Sequence, residues 1–277
     1  MRVFQTIAEV RLARGHGGLA LVPTMGALHA GHLSLVEAAK GRAAEVALSI
    51  FVNPTQFGRG EDWSRYPRPI ESDLEKCEAA GVDWVFTPSE AEMYPAGSTD
   101  IVIDLPALDS LLEGKHRPGH FRGVCQVVAK LFNIIQPTVA CFGQKDFQQL
   151  RVLSAMVEAL NYPVEIAACP TLRDPDGLAL SSRNQYLSPV ERQKALSISR
   201  TLFSARDMVA GGVKQASRLV TRMQQDLLAQ HLSIDYVAAV DPLTLKSVEV
   251  MTGPTVLAIA VRVGATRLID NVVVTPG

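Results

Sequence analysis

The sequence predicts an α/β protein: a mostly parallel sheet with helices on both faces, followed by a smaller α+β C-terminal domain. Three observations predict it. First, apolar runs such as Val46–Val52 (VALSIFV) and Thr138–Phe142 (TVACF) show no polar alternation. Strands covered on both faces read that way. Second, such runs alternate with helical patterns through the first 170 residues, the order that produces parallel βαβ units. Third, the character changes near residues 170–180, where two long amphipathic patterns are followed by strands.

The elements follow in order. Leu19–Val22 is a short strand, and Pro23 ends it because proline cannot donate to a ladder. Gly26 turns the chain. From Ala30 a helix begins, with Leu33, Leu35, Val36 and Ala39 at helical spacing in a pattern running over Leu33–Ala44. Further strands are predicted at Val46–Val52, Trp84–Phe86, Ile101–Ile103, Thr138–Phe142 and Val164–Ala168, and helices at Glu71–Ala80, Val124–Ile135 and Phe147–Leu160. In the second half Ser188 is an N-cap for a helix over Pro189–Ala210, which Gly211-Gly212 ends. A helix over Gln215–Gln230 and strands at Ile234–Val240, Val256–Val263 and Arg267–Val274 complete the chain. The domains expected are residues 1–172 and residues 173–277.

The 277 residues are 47% hydrophobic and 20% charged, ordinary for a soluble enzyme, with a net charge of -1 and hence no broad basic footprint for nucleic acid. No apolar run approaches the ~20 residues that span a bilayer. The N-terminal stretch carries Glu9 and lacks a signal-peptide core, so a cytoplasmic location is expected. Cys77, Cys125, Cys141 and Cys169 form no C-x-x-C pair, and neither a disulfide framework nor a structural zinc site is expected.

In a parallel sheet ligands bind beyond the carboxyl ends of the strands, and polar residues cluster there. After Leu19–Val22, His29 and His32 bracket Gly31 at a helix start. Free N–H groups and the helix dipole at that point suit a phosphate, and two histidines three apart can face one ligand. Neither G-x-x-x-x-G-K-[ST] nor G-x-G-x-x-G is present there. After Val46–Val52 comes Gln56, whose amide both donates and accepts. Residues 113–123 (EGKHRPGHFRG) read as a cationic loop able to close over phosphates, or as an ordinary solvated loop. After Thr138–Phe142 the turn Gly143-Gln144-Lys145-Asp146 places Lys145 as a point charge for phosphate. Asp146 there is either a helix cap or a functional group, and Gln149 lies one helical turn beyond Lys145. Asp174-Pro175-Asp176-Gly177 is a turn, and Ser181-Ser182-Arg183-Asn184 offers two hydroxyls, a guanidinium and an amide.

Together the segments PTMGALHAGH, SIFVNPTQF, RYPR, EGKHRPGHFRGV, CFGQKDFQQL, DGLALSSRNQYLS and RLIDN resemble the pantoate–β-alanine ligase family, within the nucleotidyltransferase-type enzymes that carry H-x-G-H. The resemblance runs nearly the whole chain. It implies a Rossmann-like N-terminal domain, a C-terminal domain that closes the active site, a homodimer, and the substrates ATP, pantoate and β-alanine. Mg²⁺ would be bound through the ATP phosphates rather than by a protein metal site. It implies a pantoyl-adenylate intermediate from which the β-alanine amine displaces AMP. His29 and His32 would contact the ATP phosphates, with His32 the proton donor, and Lys145 would stabilise charge on the phosphates. Met25, Gly26, Ala27, Leu28, His29, Ala30, Gly31 and His32 would line the nucleotide, as would Gly143, Gln144, Lys145 and Asp146. Leu172, Leu180, Ser181, Ser182 and Arg183 would close over it, the last three on phosphates. Pro23, Thr24, Met25, Gln56 and Gln149 would hold pantoate, with Gln56 also near β-alanine. The chain departs from the family pattern at Gln144, where Glu is usual, at Thr55, where Met is frequent, and at Pro175. The rival readings are a nucleotidyltransferase that stops at a nucleotide-linked product and a catalytically silent nucleotide binder.

Overall fold

The computed structural model describes every residue except Asp100. The chain forms two compact units, one of residues 1–144 and 152–170, the other of residues 145–151 and 171–277.

The N-terminal unit is built on six strands: β1 (Arg2–Phe4), β2 (Leu19–Thr24), β3 (Glu45–Ile50), β4 (Trp84–Phe86), β5 (Val139–Gly143) and β6 (Glu165–Cys169). Their order is β1-β4-β3-β2-β5-β6, and every pairing is parallel. The helices of this half are α1 (Ile7–Ala13), α2 (Ala30–Lys40), α3 (Ile70–Ala79), α4 (Glu90–Met93), α5 (Pro106–Asp109), α6 (Leu112–His116), α7 (His120–Ile135) and the part of α8 (Phe147–Leu160) from residue 152 on. The strand order runs one way from β2 through β3 to β4 and the other way from β2 to β5 and β6. With right-handed crossovers, that reversal puts α2 and α3 on one face and α7 and α8 on the other. On the first face Leu35, Val36, Ala39 and Cys77 pack against Ala20, Val22, Val46, Leu48, Val85 and Cys141. The reversal lies between β2 and β5, and the carboxyl ends of those strands are Thr24 and Gly143. An open parallel sheet leaves its ligand crevice at such a point.

The C-terminal unit carries α9 (Pro189–Ala210), α10 (Ala216–Leu228) and a three-stranded antiparallel sheet of β7 (Ser233–Val240), β8 (Thr255–Val263) and β9 (Thr266–Val274). Leu196 and Leu202 of α9 and Leu219, Met223 and Leu227 of α10 share one buried core with Leu257, Ile259 and Val261 of β8. Ser188 caps α9 in a reciprocal box with Glu191, and Gly211 follows its last turn.

Three expectations need correcting, and two elements were not expected. Pro23 does not end β2, which runs on to Thr24 with Pro23 paired opposite Ser49; the missing N–H is tolerated because the pairing with β5 stops at Leu21. Ile101–Ile103 is not a strand: it pairs with none of the six strands, and Ile101 and Val102 stand 69% and 66% exposed. Residues 113–123 are not an open loop, since α6 and the first turn of α7 occupy most of them, with Glu113 and His120 buried. β1 and α1 were not expected. α1 nevertheless carries a Thr6/Glu9 capping box, a readable T-x-x-E signature.

Candidate active site

The chain leaves β2 through a turn whose geometry is held from outside. Gly26 has φ +80 and Ala27 φ +50, a region that L side chains avoid. Asp73 of α3, 1% exposed, accepts the Ala27 N–H at 2.7 Å and the Leu28 N–H at 2.8 Å. Lys76, one turn further along α3, donates to the Leu28 carbonyl at 2.9 Å. A Cβ on Gly26 would lie 2.9 Å from Asp73 Oδ2 and 3.0 Å from Ile50 Cγ2, so this turn admits only glycine at its tightest point. Thr24 ties the strand end down, donating to the Ser49 carbonyl at 2.7 Å and accepting the Gly26 N–H at 3.1 Å.

The turn delivers His29 and His32 to the start of α2. His29 is the N-cap, and its Nδ1 accepts the Gly31 N–H at 3.1 Å. His32 Nδ1 accepts the His29 N–H at 3.4 Å. The ring centroids are 4.1 Å apart. A backbone N–H can only donate, so both Nδ1 atoms are acceptors. Each ring therefore carries its proton on Nε2, the atom that can donate to a phosphate oxygen.

The second cluster follows β3. Asn53, 1% exposed, caps a short 3-10 turn over Pro54–Gln56. Its Oδ1 accepts from the Thr55 N–H at 3.3 Å, Thr55 Oγ1 at 2.9 Å and Tyr94 OH at 2.9 Å. Its Nδ2 donates to the Gly123 carbonyl at 3.1 Å and to Gln56 Oε1 at 3.0 Å. Two backbone groups thus set the Asn53 amide, and Asn53 in turn sets Gln56. The Gln56 oxygen is engaged, and its Nε2 is the donor, aimed beside Met25 with 3.2 Å to the sulfur.

His120 Nδ1 lies 2.8 Å from the Gln56 carbonyl, and its Nε2 lies 2.9 Å from Arg117 Nη1. Arg117 is held by Glu61 through two hydrogen bonds of 2.7 Å. Burial, aided by the Arg117 charge, pushes the His120 pKa down to about 4, so the ring is neutral. Burial opposes the charge on Glu61, but the hydrogen bonds and charge of Arg117 outweigh it and hold that carboxyl below its usual range.

In the C-terminal unit, residues 172–180 form a small hairpin. Leu180 N–H donates to the Leu172 carbonyl at 3.0 Å, and Gly177 closes the tip with φ +98. Arg192 grips that tip through Asp174 at 2.7 Å and Asp176 at 2.5 Å. Arg173 makes paired bonds of 2.6 and 2.8 Å to Asp270, which is 4% exposed. The neighbouring Asn271 donates from Nδ2 to the Lys145 carbonyl at 2.8 Å. Lys145 Nζ sits 3.8 Å from Asp146. Ser181 caps the 3-10 turn Ser182–Tyr186, and its Oγ accepts the Arg183 N–H at 3.3 Å.

The family model for Pantoate-beta-alanine ligase matches residues 2–273. The chain belongs to the pantoate–β-alanine ligase family. It is 52% identical to the pantothenate synthetase of Moorella thermoacetica over 99% of this chain and 98% of that one. Its structure resembles the pantothenate synthetase of Thermus thermophilus, with TM-score 0.94, 46% identity and coverage of 98% and 99% of the two chains. It also resembles the Francisella tularensis pantoate-beta-alanine ligase complexed with beta-gamma ATP and beta-alanine, with TM-score 0.80, 32% identity and coverage of 98% and 97%.

As in any ligase of this family, the chemistry is C–N bond formation. The N-terminal unit brings together Pro23, Thr24, Met25 and Gln56 and presents His29 and His32 from the adjoining turn. Lys145, Asp146, Gln149, Leu172, Leu180 and Ser181–Arg183 belong to the C-terminal unit. Gly143 ends β5, and Gln144 begins the 3-10 turn Gln144–Asp146. Sequence reasoning missed Asp73, Asn53 as the organiser of Gln56, and Asn271 as a holder of Lys145. Only Asn53 left a local signal, as a capping residue before Pro54.

Proposed function

We propose that this chain condenses pantoate with β-alanine at the cost of ATP, through a pantoyl adenylate. The pantoate carboxylate attacks the α-phosphorus of ATP, and pyrophosphate leaves. The β-alanine amine then attacks the acyl carbon, and AMP leaves with the electron pair of the C–O bond. Both steps bring anions together, so alignment and charge neutralisation carry more of the rate than acid–base chemistry. The observation that carries the reading is the His29–His32 pair: two imidazoles with ring centroids 4.1 Å apart, both protonated on Nε2, at the N-terminus of α2.

In this reading His29 and His32 donate to the phosphates, with His32 on the departing pyrophosphate. Lys145, Ser181, Ser182 and Arg183 neutralise and orient the same groups. Residues Met25–His32, Gly143–Asp146, Leu172 and Leu180 line the nucleotide. The Gln56 amide N–H donates to the acid substrate, with Pro23, Thr24, Met25 and Gln149 completing its pocket and β-alanine entering near Gln56. Among the described residues no three His, Cys, Asp or Glu side chains gather as a metal-holding group. In this reading Mg²⁺ is carried on ATP oxygens, the usual state of this ion with nucleotides.

No helix of the described residues is long and apolar enough to cross a membrane. We place the reaction in the cytoplasm, where ATP is supplied. A homodimer accounts for the exposed Ile101 and Val102, which a second copy would cover. Light scattering of the wild type and of Val102→Asp tests that assignment: a wild-type dimer and a monomeric variant support it, and a wild-type monomer rejects it.

The activity is tested by measuring AMP and pyrophosphate from ATP, Mg²⁺ and pantoate, with and without β-alanine. AMP that depends on the amine, with pyrophosphate held to about one enzyme equivalent in its absence, is the expected result. Continuous amine-independent pyrophosphate release with a stable nucleotide-linked product would instead identify a nucleotidyltransferase.

A further inference from the structure

The segment EGKHRPGHFRG is not the mobile cationic loop its composition suggests, and its buried half has a different task. We propose that Arg117, His120 and Gly123 form a clamp that positions Gln56 for the acid substrate. The proposal rests on reading Gln56 as a pantoate ligand.

The clamp grips Gln56 at two points. Its backbone carbonyl lies 2.8 Å from His120 Nδ1, and a carbonyl can only accept. Nδ1 must therefore carry the proton. At the other edge of the ring Arg117 Nη1 lies 2.9 Å from Nε2. A guanidinium can only donate, so Nε2 must be unprotonated. Both contacts demand the same neutral tautomer, and Glu61 fixes Arg117 with two 2.7 Å bonds so that it cannot swing away.

The second grip is on the side chain. The Gly123 carbonyl accepts from Asn53 Nδ2, which also donates to Gln56 Oε1. Gly123 can do this because it has no side chain: a Cβ would lie 2.5 Å from the Thr55 carbonyl carbon and 2.6 Å from the Gln56 nitrogen. The first turn of α7 thus sets both the height of the Gln56 backbone and the rotation of its amide. Gln56 and His120 are 9% and 8% exposed, so water offers neither group a ready substitute partner.

These are positioning residues, so the test separates substrates. Steady-state kinetics on the full-length enzyme compares wild type, His120→Gln, His120→Asn and Gln56→Ala, each with a denaturation curve. An Asn amide places its N–H near the Nδ1 position, whereas a Gln amide reaches the Nε2 position. Loss of the Nδ1 contact is expected to raise the pantoate KM roughly tenfold, with the ATP KM unchanged within about twofold, and His120→Asn recovers most of the loss. Equal damage from both His120 variants, or a uniform fall for pantoate and ATP that tracks stability, overturns the clamp. Gln56→Ala distinguishes the two layers. A raised pantoate KM in Gln56→Ala beside a normal one in His120→Gln rejects the clamp alone. A normal pantoate KM in Gln56→Ala rejects the reading of Gln56 and the clamp with it. If His120→Gln does not fold, Arg117→Gln gives the same comparison, since it leaves the His120–Gln56 contact without its outer donor.

Discussion

Replacing Asp73 with Asn tests how the histidine turn is held. The carboxylate accepts two consecutive N–H groups, from Ala27 and Leu28, at 2.7 and 2.8 Å. The Asn amide has the same shape but one acceptor oxygen, so one of the two N–H groups then faces an NH₂. A hydrogen bond to a charged group contributes about 1.5–3 kcal/mol, and a buried N–H left without a partner costs about 1–3 kcal/mol. The change is worth about 2.5–6 kcal/mol in all, a large part of the ~5–15 kcal/mol that stabilises a typical domain. The turn also has a local reason to relax, because Ala27 sits at φ +50 and is disfavoured there by about 1–2 kcal/mol. Relaxation moves His29 and His32, and a displacement of about 1 Å at reacting groups costs roughly a hundredfold in rate. Urea denaturation and pyrophosphate release from ATP and pantoate measure the two effects. A variant with stability within about 0.5 kcal/mol of wild type and normal adenylation would show that Asp73 does not hold the turn.

Other expectations follow from the same geometry. His32→Ala should lower adenylate formation roughly a hundredfold or more while shifting the denaturation midpoint little, because the residue lies on a turn at a helix start. Gly26→Ala should destabilise the protein by about 1–3 kcal/mol, since positive φ and a 2.9 Å approach to Asp73 both oppose a methyl group. Asp270→Asn leaves the Arg173 charge poorly compensated, and a loss of about 3–5 kcal/mol is expected in the C-terminal unit by denaturation. His120 sets a pH dependence. Its folded pKa of about 4 lies below the ordinary 6.5, so between those values the unfolded chain binds more protons and stability falls as pH falls. From pH 7 to 5 this one group should remove about 2 kcal/mol, and His120→Asn should flatten the slope of stability against pH over that range.

What could be read from the residues depended on how local the determining contacts are. β2 and β5, their glycine-bearing turns and the His29/His32 pair were legible because strand, turn glycine and helix start are adjacent in sequence. The D-P-D-G turn and the Ser188 cap were legible for the same reason. Ile101–Ile103 misled because β-branched residues signal a strand whether or not a partner strand lies beside them, and here none does. β1 escaped because three half-exposed residues carry no periodicity. The 113–123 segment misled because a charge run does not say which charges have partners. Glu61 meets Arg117 from 56 residues away. Asp73 and Asn271 were invisible at the site for that reason too: their roles lie in backbone atoms 45 and 126 residues distant.

The most direct test of the central claim follows the oxygen atoms. Pantoate labelled with heavy oxygen in its carboxylate would be turned over with ATP, Mg²⁺ and β-alanine, and the AMP examined by mass spectrometry. Attack of the carboxylate on the α-phosphorus leaves one labelled oxygen in each AMP after the amine displaces it. Label in AMP, and none in pyrophosphate, is the result this account predicts. Unlabelled AMP beside label in a released phosphate or in pyrophosphate would mean that the acid is activated at another phosphorus, and the adenylate mechanism would be wrong.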